Sequence, residues 1–198
     1  PYIYIFIFYI VYIMDKVYKN LEKYKSDKFN PKLFEYENFL SLKFNLSSKL
    51  NIKCFKYDDF DVIKIYKSKV YFDKEIIQNN IQKCNILPLY IYDKDNTHMI
   101  SVIVDKPKKT VSLFTNNQNN KFFYKKIIEQ FNLNYKIIID NVNIKCDSYQ
   151  TLCVPLSLLM IYCYFNNIEL NKFIQYINKL SIKSSYYLLD NFLNYLEN

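Results

Sequence analysis

Ile86-Leu87-Pro88-Leu89-Tyr90-Ile91-Tyr92-Asp93-Lys94-Asp95-Asn96-Thr97-His98-Met99-Ile100-Ser101-Val102-Ile103-Val104-Asp105-Lys106-Pro107-Lys108-Lys109-Thr110-Val111-Ser112-Leu113-Phe114 reads as three successive β-strands. Residues 86–92 alternate and are rich in β-formers, 93–97 are polar turn material, and 98–104 form a second strand. Lys106-Pro107-Lys108-Lys109 makes a hairpin turn, and 110–114 is the third strand. With that turn, Asp105 faces Thr110, and the register carries His98 across from Asn117. Downstream, 122–131 has helical spacing and 135–140 is extended. The run 153–165 is apolar enough for a buried helix and too short to cross a bilayer. Two amphipathic helices follow, near 170–180 and 185–196. Upstream, 14–51 reads as two helices parted at Asn30-Pro31, 52–57 and 62–66 look extended, and 74–83 looks helical. The expected class is α+β, a mixed central sheet flanked by helices.

Three segments follow from this pattern. Residues 1–13 are an apolar leader, expected to be upstream reading frame with Met14 as the start. Residues 14–70 are expected to form an N-terminal helical accessory region, and 71–198 the core. The leader is shorter than the roughly 20 apolar residues of a spanning helix and lacks the basic start of a signal peptide. No stable membrane span is expected.

The composition bounds the rest. The 198 residues are 51% hydrophobic and 19% aromatic, ample for one core, and the 23% charged residues argue against wholesale disorder. Gly, Trp, Ala and Arg are absent, while Asn, Lys, Ile, Tyr and Phe abound. This is the residue usage of an A/T-rich genome and bears on origin rather than activity. The net charge of +8 comes from lysines scattered along the chain, which leaves room for weak polyanion or DNA binding without a dedicated site. Five cysteines stand at 54, 84, 146, 153 and 163, with no CxxC pair. An odd count without a disulfide framework fits reduced thiols in a reducing intracellular compartment. A zinc site needs about four ligands, and with one histidine the chain is not expected to hold one.

The chemistry concentrates in two residues. His98, the sole histidine, opens a strand at a sheet end. Cys153 opens the apolar helix, where the positive end of the helix dipole favours the thiolate. Cys163, inside the same run, is expected to be an inert core thiol. A nucleophilic cysteine needs a base and an orienter for that base. Thr115 and Asn117 share the face of His98, and Asn116 would need a bulge to join them. Asn117, with Asn116 as its alternative, is the candidate orienter, since an amide carbonyl can fix an imidazole tautomer. Asp105 is expected at a strand end or turn.

These blocks resemble the adenovirus-endopeptidase and SUMO-protease superfamily of cysteine peptidases. The strand beginning Ile86-Leu87-Pro88-Leu89, the polar turn, and His98 through Val111 match its histidine segment. Residues 147–162 resemble its cysteine helix, and the order of histidine before cysteine agrees. Met99 replaces the usual Trp, Val154 the common Gly, and Thr115 the usual acidic residue. Asp147 stands where the family has its oxyanion-hole Gln, so Gln150 becomes the candidate donor beside the N–H of Cys153. The resemblance implies an adenain-like fold and a cofactor-free cysteine endopeptidase. It would cleave a precursor polyprotein or ubiquitin-like tail near small residues; the A/T bias and the compact chain point to viral maturation, in host cytoplasm or nucleus or packaged in a virion. The alternatives are a catalytically inactive binding module of the same fold, or a basic nucleic-acid-associated protein.

Overall fold

The computed structural model describes residues 36–52, 61–96, 98–115, 120–142 and 152–198. In chain order these form α1 (Tyr36–Lys49), β1 (Val62–Tyr66), β2 (Lys69–Tyr71), α2 (Lys74–Lys83), β3 (Ile86–Asp93), β4 (His98–Asp105) and β5 (Thr110–Thr115). Then come α3 (Lys121–Glu129), β6 (Lys136–Asn141), α4 (Cys153–Phe165), α5 (Leu170–Ile177) and α6 (Ile182–Glu197). The strands make one mixed sheet in the order β2-β1-β3-β4-β5-β6. β1 runs parallel to β3 and β5 parallel to β6, while β1–β2, β3–β4 and β4–β5 are antiparallel. The α+β expectation holds, and the hairpin register is the expected one, with Asp105 opposite Thr110 and Ser101 opposite Phe114.

Strand alternation sends successive side chains to opposite faces, so each face needs its own cover. On one face Tyr90, Met99, Ile103 and Phe114 join a core with α1, α4, α5 and α6. On the other, Leu89, Ile91, Ile100, Val102 and Leu113 pack with Ile77 and Ile81 of α2 and Tyr124, Ile127 and Ile128 of α3. The central strand β4 is buried along its whole length.

A chain without glycine must still make turns with positive φ. Asn51 and Asn167, at φ 52° and 54°, end α1 and α4. In each case the following amide reaches back to a last-turn carbonyl, Ile52 to Ser47 and Ile168 to Cys163. Asparagine thus fills the place that glycine usually takes. The β1–β2 hairpin sets Lys67 and Ser68 at φ 50° and 58°, a conformation that neither residue favours. The Asp95 carboxylate offsets this by accepting from both backbone N–H groups, at 2.7 and 2.6 Å.

Three expectations need correction. The boundary at residue 70 cuts through β2, and β1 and β2 belong to the central sheet rather than to a helical accessory region. Helix α1 is likewise part of the core, because Phe39, Leu42 and Leu46 lie buried with α4 and α6. Reduced thiols throughout is the second: Cys84 is disulfide-bonded, while Cys153 and Cys163 are free. Sequence spacing does not report the spatial approach that a bridge requires. Thirdly, Asp93, read as turn material, is the last residue of β3. The leader and the helix expected before residue 36 lie outside the described residues.

Lys43 of α1, fully buried, is ion-paired with buried Asp61 just before β1. Removing one partner of such a pair leaves the other charge in a poorly solvating interior. Lys43→Met should therefore lower stability by about 3–5 kcal/mol in urea denaturation, and adding Asp61→Leu should restore most of it. Unchanged stability in the single variant would mean that α1 is held by apolar packing alone.

Candidate active site

Two residues of the expected constellation are described, and the fold brings their elements together. His98 opens β4 and Cys153 opens α4. One helical turn after Cys153, Ser157 donates from Oγ to the carbonyl oxygen of Met99 at 3.1 Å. Met99 follows His98 directly, so this bond sets the first turn of α4 against the first residues of β4. Met99 and Cys153 also share one buried cluster. The thiol and the imidazole therefore belong to the same end of the sheet.

Cys153 is only 4% exposed, as a thiol in a closed site would be. The N-cap residue, Leu152, offers no side-chain acceptor, and the first turn of α4 carries no acidic residue. Among the described residues, neither a capping oxygen from Leu152 nor a first-turn carboxylate competes for the positive end of the dipole. Cys163 provides the contrast. It is fully buried in mid-helix, and burial pushes its thiol far above the ordinary range. The inert core role expected for it agrees with this setting.

His98 is 7% exposed. Burial lowers its pKa from the ordinary value, and the neighbouring Asp93 charge opposes that fall. Burial thus favours the neutral imidazole, the form a base requires. Its Nε2 is buried and has no hydrogen-bond partner among the described residues. A buried polar atom left open in this way is costly, and such atoms concentrate where chemistry or a ligand completes them.

Asp93 was missed by sequence reasoning. It pairs directly with His98 across the β3–β4 ladder and is fully buried. Its Oδ1 accepts from the Asn96 backbone N–H at 3.1 Å and its Oδ2 from the Asn96 side-chain amide at 2.8 Å. Tyr124 of α3 also donates its hydroxyl to Oδ2, at 3.0 Å. Burial first, and then the Asp93 charge, push the Tyr124 phenol well up, which keeps it a donor, and it also feels the charge of Cys153. Carrying the register across the polar turn would have exposed the Asp93–His98 pairing. Nothing in the local sequence marks Tyr124.

Thr115 ends β5, buried, and alternation puts it on the His98 face. Asn116, Asn117 and Gln150 lie outside the described residues. Asp105, as expected, serves the hairpin: it accepts from the Lys108 N–H at 2.9 Å and from the Tyr164 hydroxyl. Among the described residues no group of three or more His, Cys, Asp or Glu could hold a metal ion. No helix among them is long and apolar enough to cross a membrane.

No family model and no curated protein matches the chain. Solved structures resemble its layout. The SUMO protease Ulp1 with its catalytic cysteine oxidised to a sulfonic acid is 9% identical, with a TM-score of 0.48, over 84% of this chain and 79% of that one. ChlaDub1 from Chlamydia trachomatis is 13% identical, with a TM-score of 0.41, over 86% and 80% of the two chains. The ASFV pS273R protease is 16% identical at a TM-score of 0.37, over 64% of this chain and 47% of that one. Each is a likeness of layout at low identity, so the chemistry has to be read from this chain's own residues.

The contrast between the two free thiols is directly measurable. Iodoacetamide should label Cys153 below pH 8, under conditions where Cys163 stays unlabelled until the protein is denatured, as read by mass spectrometry. Equal, slow labelling of both would show that the helix start confers no activation.

Proposed function

We propose that the chain is a cysteine endopeptidase in which His98 is the base for Cys153. The observation that carries this reading is the Ser157–Met99 bond, which joins the first turn of a helix that opens with a thiol to a strand that opens with a buried histidine. The resemblance of the histidine and cysteine blocks to the adenovirus-endopeptidase and SUMO-protease superfamily supports it.

In this reading His98 Nε2 takes the proton from Cys153 Sγ, and the sulfur attacks the scissile carbonyl carbon. The oxyanion forms against the Cys153 backbone N–H and Gln150. The imidazolium then gives its proton to the leaving amine, and water, activated by the same imidazole, hydrolyses the thioester. Asn117, or Asn116, fixes the ring. No metal takes part in these steps. The substrate class is a precursor polyprotein or a ubiquitin-like tail with small residues at the cleavage point. A maturation role in a virus with an A/T-rich genome fits the composition. The working thiol must stay reduced, which fits host cytoplasm or nucleus, or packaging in a virion. Scattered lysines add weak polyanion affinity.

One observation favours a second reading, a protease-like binding module without turnover. Thr115 occupies the slot where the family has its acidic residue. Ubiquitin-like fusions and small-residue peptides distinguish the two readings. An enzyme cleaves them, and His98→Ala lowers turnover by about 10²–10⁴-fold while leaving substrate affinity largely intact. A module binds them uncleaved, and His98→Ala then changes nothing.

A further inference from the structure

We infer that Asp93 is a positioning residue for His98, supplying from the preceding strand the negative charge that an imidazolium at this site needs. The inference rests on the thiol-peptidase reading and adds to it a member that neither the motif nor the hairpin points to.

Three observations converge. Asp93 and His98 are direct cross-strand partners, the last residue of β3 against the first of β4. Direct partners share a face, with Cβ atoms about 4.5–5.5 Å apart. Secondly, the carboxylate is fully buried and both oxygens are fixed, by Asn96 and Tyr124. An aspartate that only capped the β3–β4 turn would need the Asn96 contacts and nothing more. The Tyr124 hydroxyl comes from α3, takes no part in the turn, and holds the carboxylate from the helix layer. Thirdly, β5 carries no charged side chain among its described residues. Thr115 ends that strand, and Asn116 and Asn117 after it are amides. An amide can orient a ring but cannot offset a positive charge on it.

The surrounding groups leave the role to Asp93. Among the described residues, Asp93 on β3 is the group whose charge acts on His98, and Tyr124 on α3 is bonded to Asp93 and feels the charge of Cys153 on α4. In the turn between the strands, Lys94 lies over the Tyr66 ring and exposed Asp95 is taken up by the Lys67 and Ser68 amides. Asp105 belongs to the far end of β4, with Lys108 and Tyr164.

The sign of the effect is defined. Burial disfavours a protonated His98 and Asp93 favours it. Proton transfer from Cys153 Sγ to His98 Nε2 creates that protonated ring, so removing the charge makes the transfer less favourable. Asp93→Asn keeps the size and an acceptor oxygen while deleting the charge. The pH midpoint of Cys153 alkylation should rise by about one unit, so reactivity near pH 7 falls about tenfold, with kcat lowered and KM little changed. Tyr124→Phe keeps the charge and loses one bond to it, and should change the midpoint measurably less.

The experiment is the pH profile of iodoacetamide labelling in the full chain, for the wild type, His98→Ala, Asp93→Asn and Tyr124→Phe, with protection of Cys163 reporting folding. A shift in Asp93→Asn toward the His98→Ala profile, with Cys163 still protected, supports the inference. A wild-type profile in a folded Asp93→Asn protein overturns it and leaves the peptidase reading standing. Coincidence of wild type and His98→Ala removes the peptidase reading, and the inference with it. If Asp93→Asn exposes Cys163, Tyr124→Phe decides: a midpoint shifted upward supports the inference and a wild-type midpoint overturns it.

Discussion

From Cys153 to Cys163 every side chain of α4 is buried, and β4, the strand it lies on, is buried from end to end. A helix apolar all round cannot lie on a surface and must be covered on every side. The sheet supplies one side, and α1, α5 and α6 supply the others. The opposite sheet face then needs α2 and α3, which gives three layers. The helix lies along the central strand, and the Ser157–Met99 bond fixes how far along it starts. A slip of α4 by one residue would rotate its whole pattern by about 100° and carry Cys153 away from the sheet end. The demand for burial thus sets the position of the thiol before any chemistry is considered.

Burial has opposite consequences for the two cysteines of that helix. At Cys163 it acts alone and drives the thiol into its neutral form. Cys153 is nearly as buried, but it sits in the first turn of α4, at the positive end of the helix dipole. His98 is shaped by the same opposition: desolvation keeps it neutral and a buried carboxylate draws it back. Tyr124 ties the two sides together, bonded to Asp93 and within the electrostatic reach of Cys153.

Strand alternation and turn chemistry made the three central strands and their register legible, because side-chain period and hairpin geometry are local. The helix from Cys153 was legible for the same reason, as an apolar run of helical length. Features depending on distant partners were not. β1 and β2 are short, and their place beside β3 follows from a parallel pairing that no hairpin announces. Lys43, a lysine inside a helix, reads as a solvated residue until Asp61 is brought to it. The Cys84 disulfide is likewise a fact of space. Absence of glycine also removed the usual turn markers, so Asn51, Asn167 and the Lys67-Ser68 pair carry positive φ without announcing it. At the candidate site, residue type and position single out His98 and Cys153, whereas Asp93 sat within a polar stretch and looked like part of the turn.

An imidazole that is to act as a base makes two demands on its surroundings that can be met by one residue or by two. The ring must be held in one tautomer, which takes a hydrogen-bond acceptor of fixed direction, and its positive form must be offset, which takes charge but little directional precision. A single carboxylate can meet both. In this chain Thr115 stands where such a carboxylate would come after the hairpin, while a buried carboxylate lies on the other flanking strand. Burying a charge is tolerable only where its hydrogen bonds are met, and Asn96 and Tyr124 meet them for Asp93. The conditions for that carboxylate lie outside the segments that carry His98 and Cys153: one in a turn, the other on a helix across the sheet. Dividing the demands between strands leaves the motif looking incomplete in one dimension while the surroundings of His98 in three dimensions remain charged.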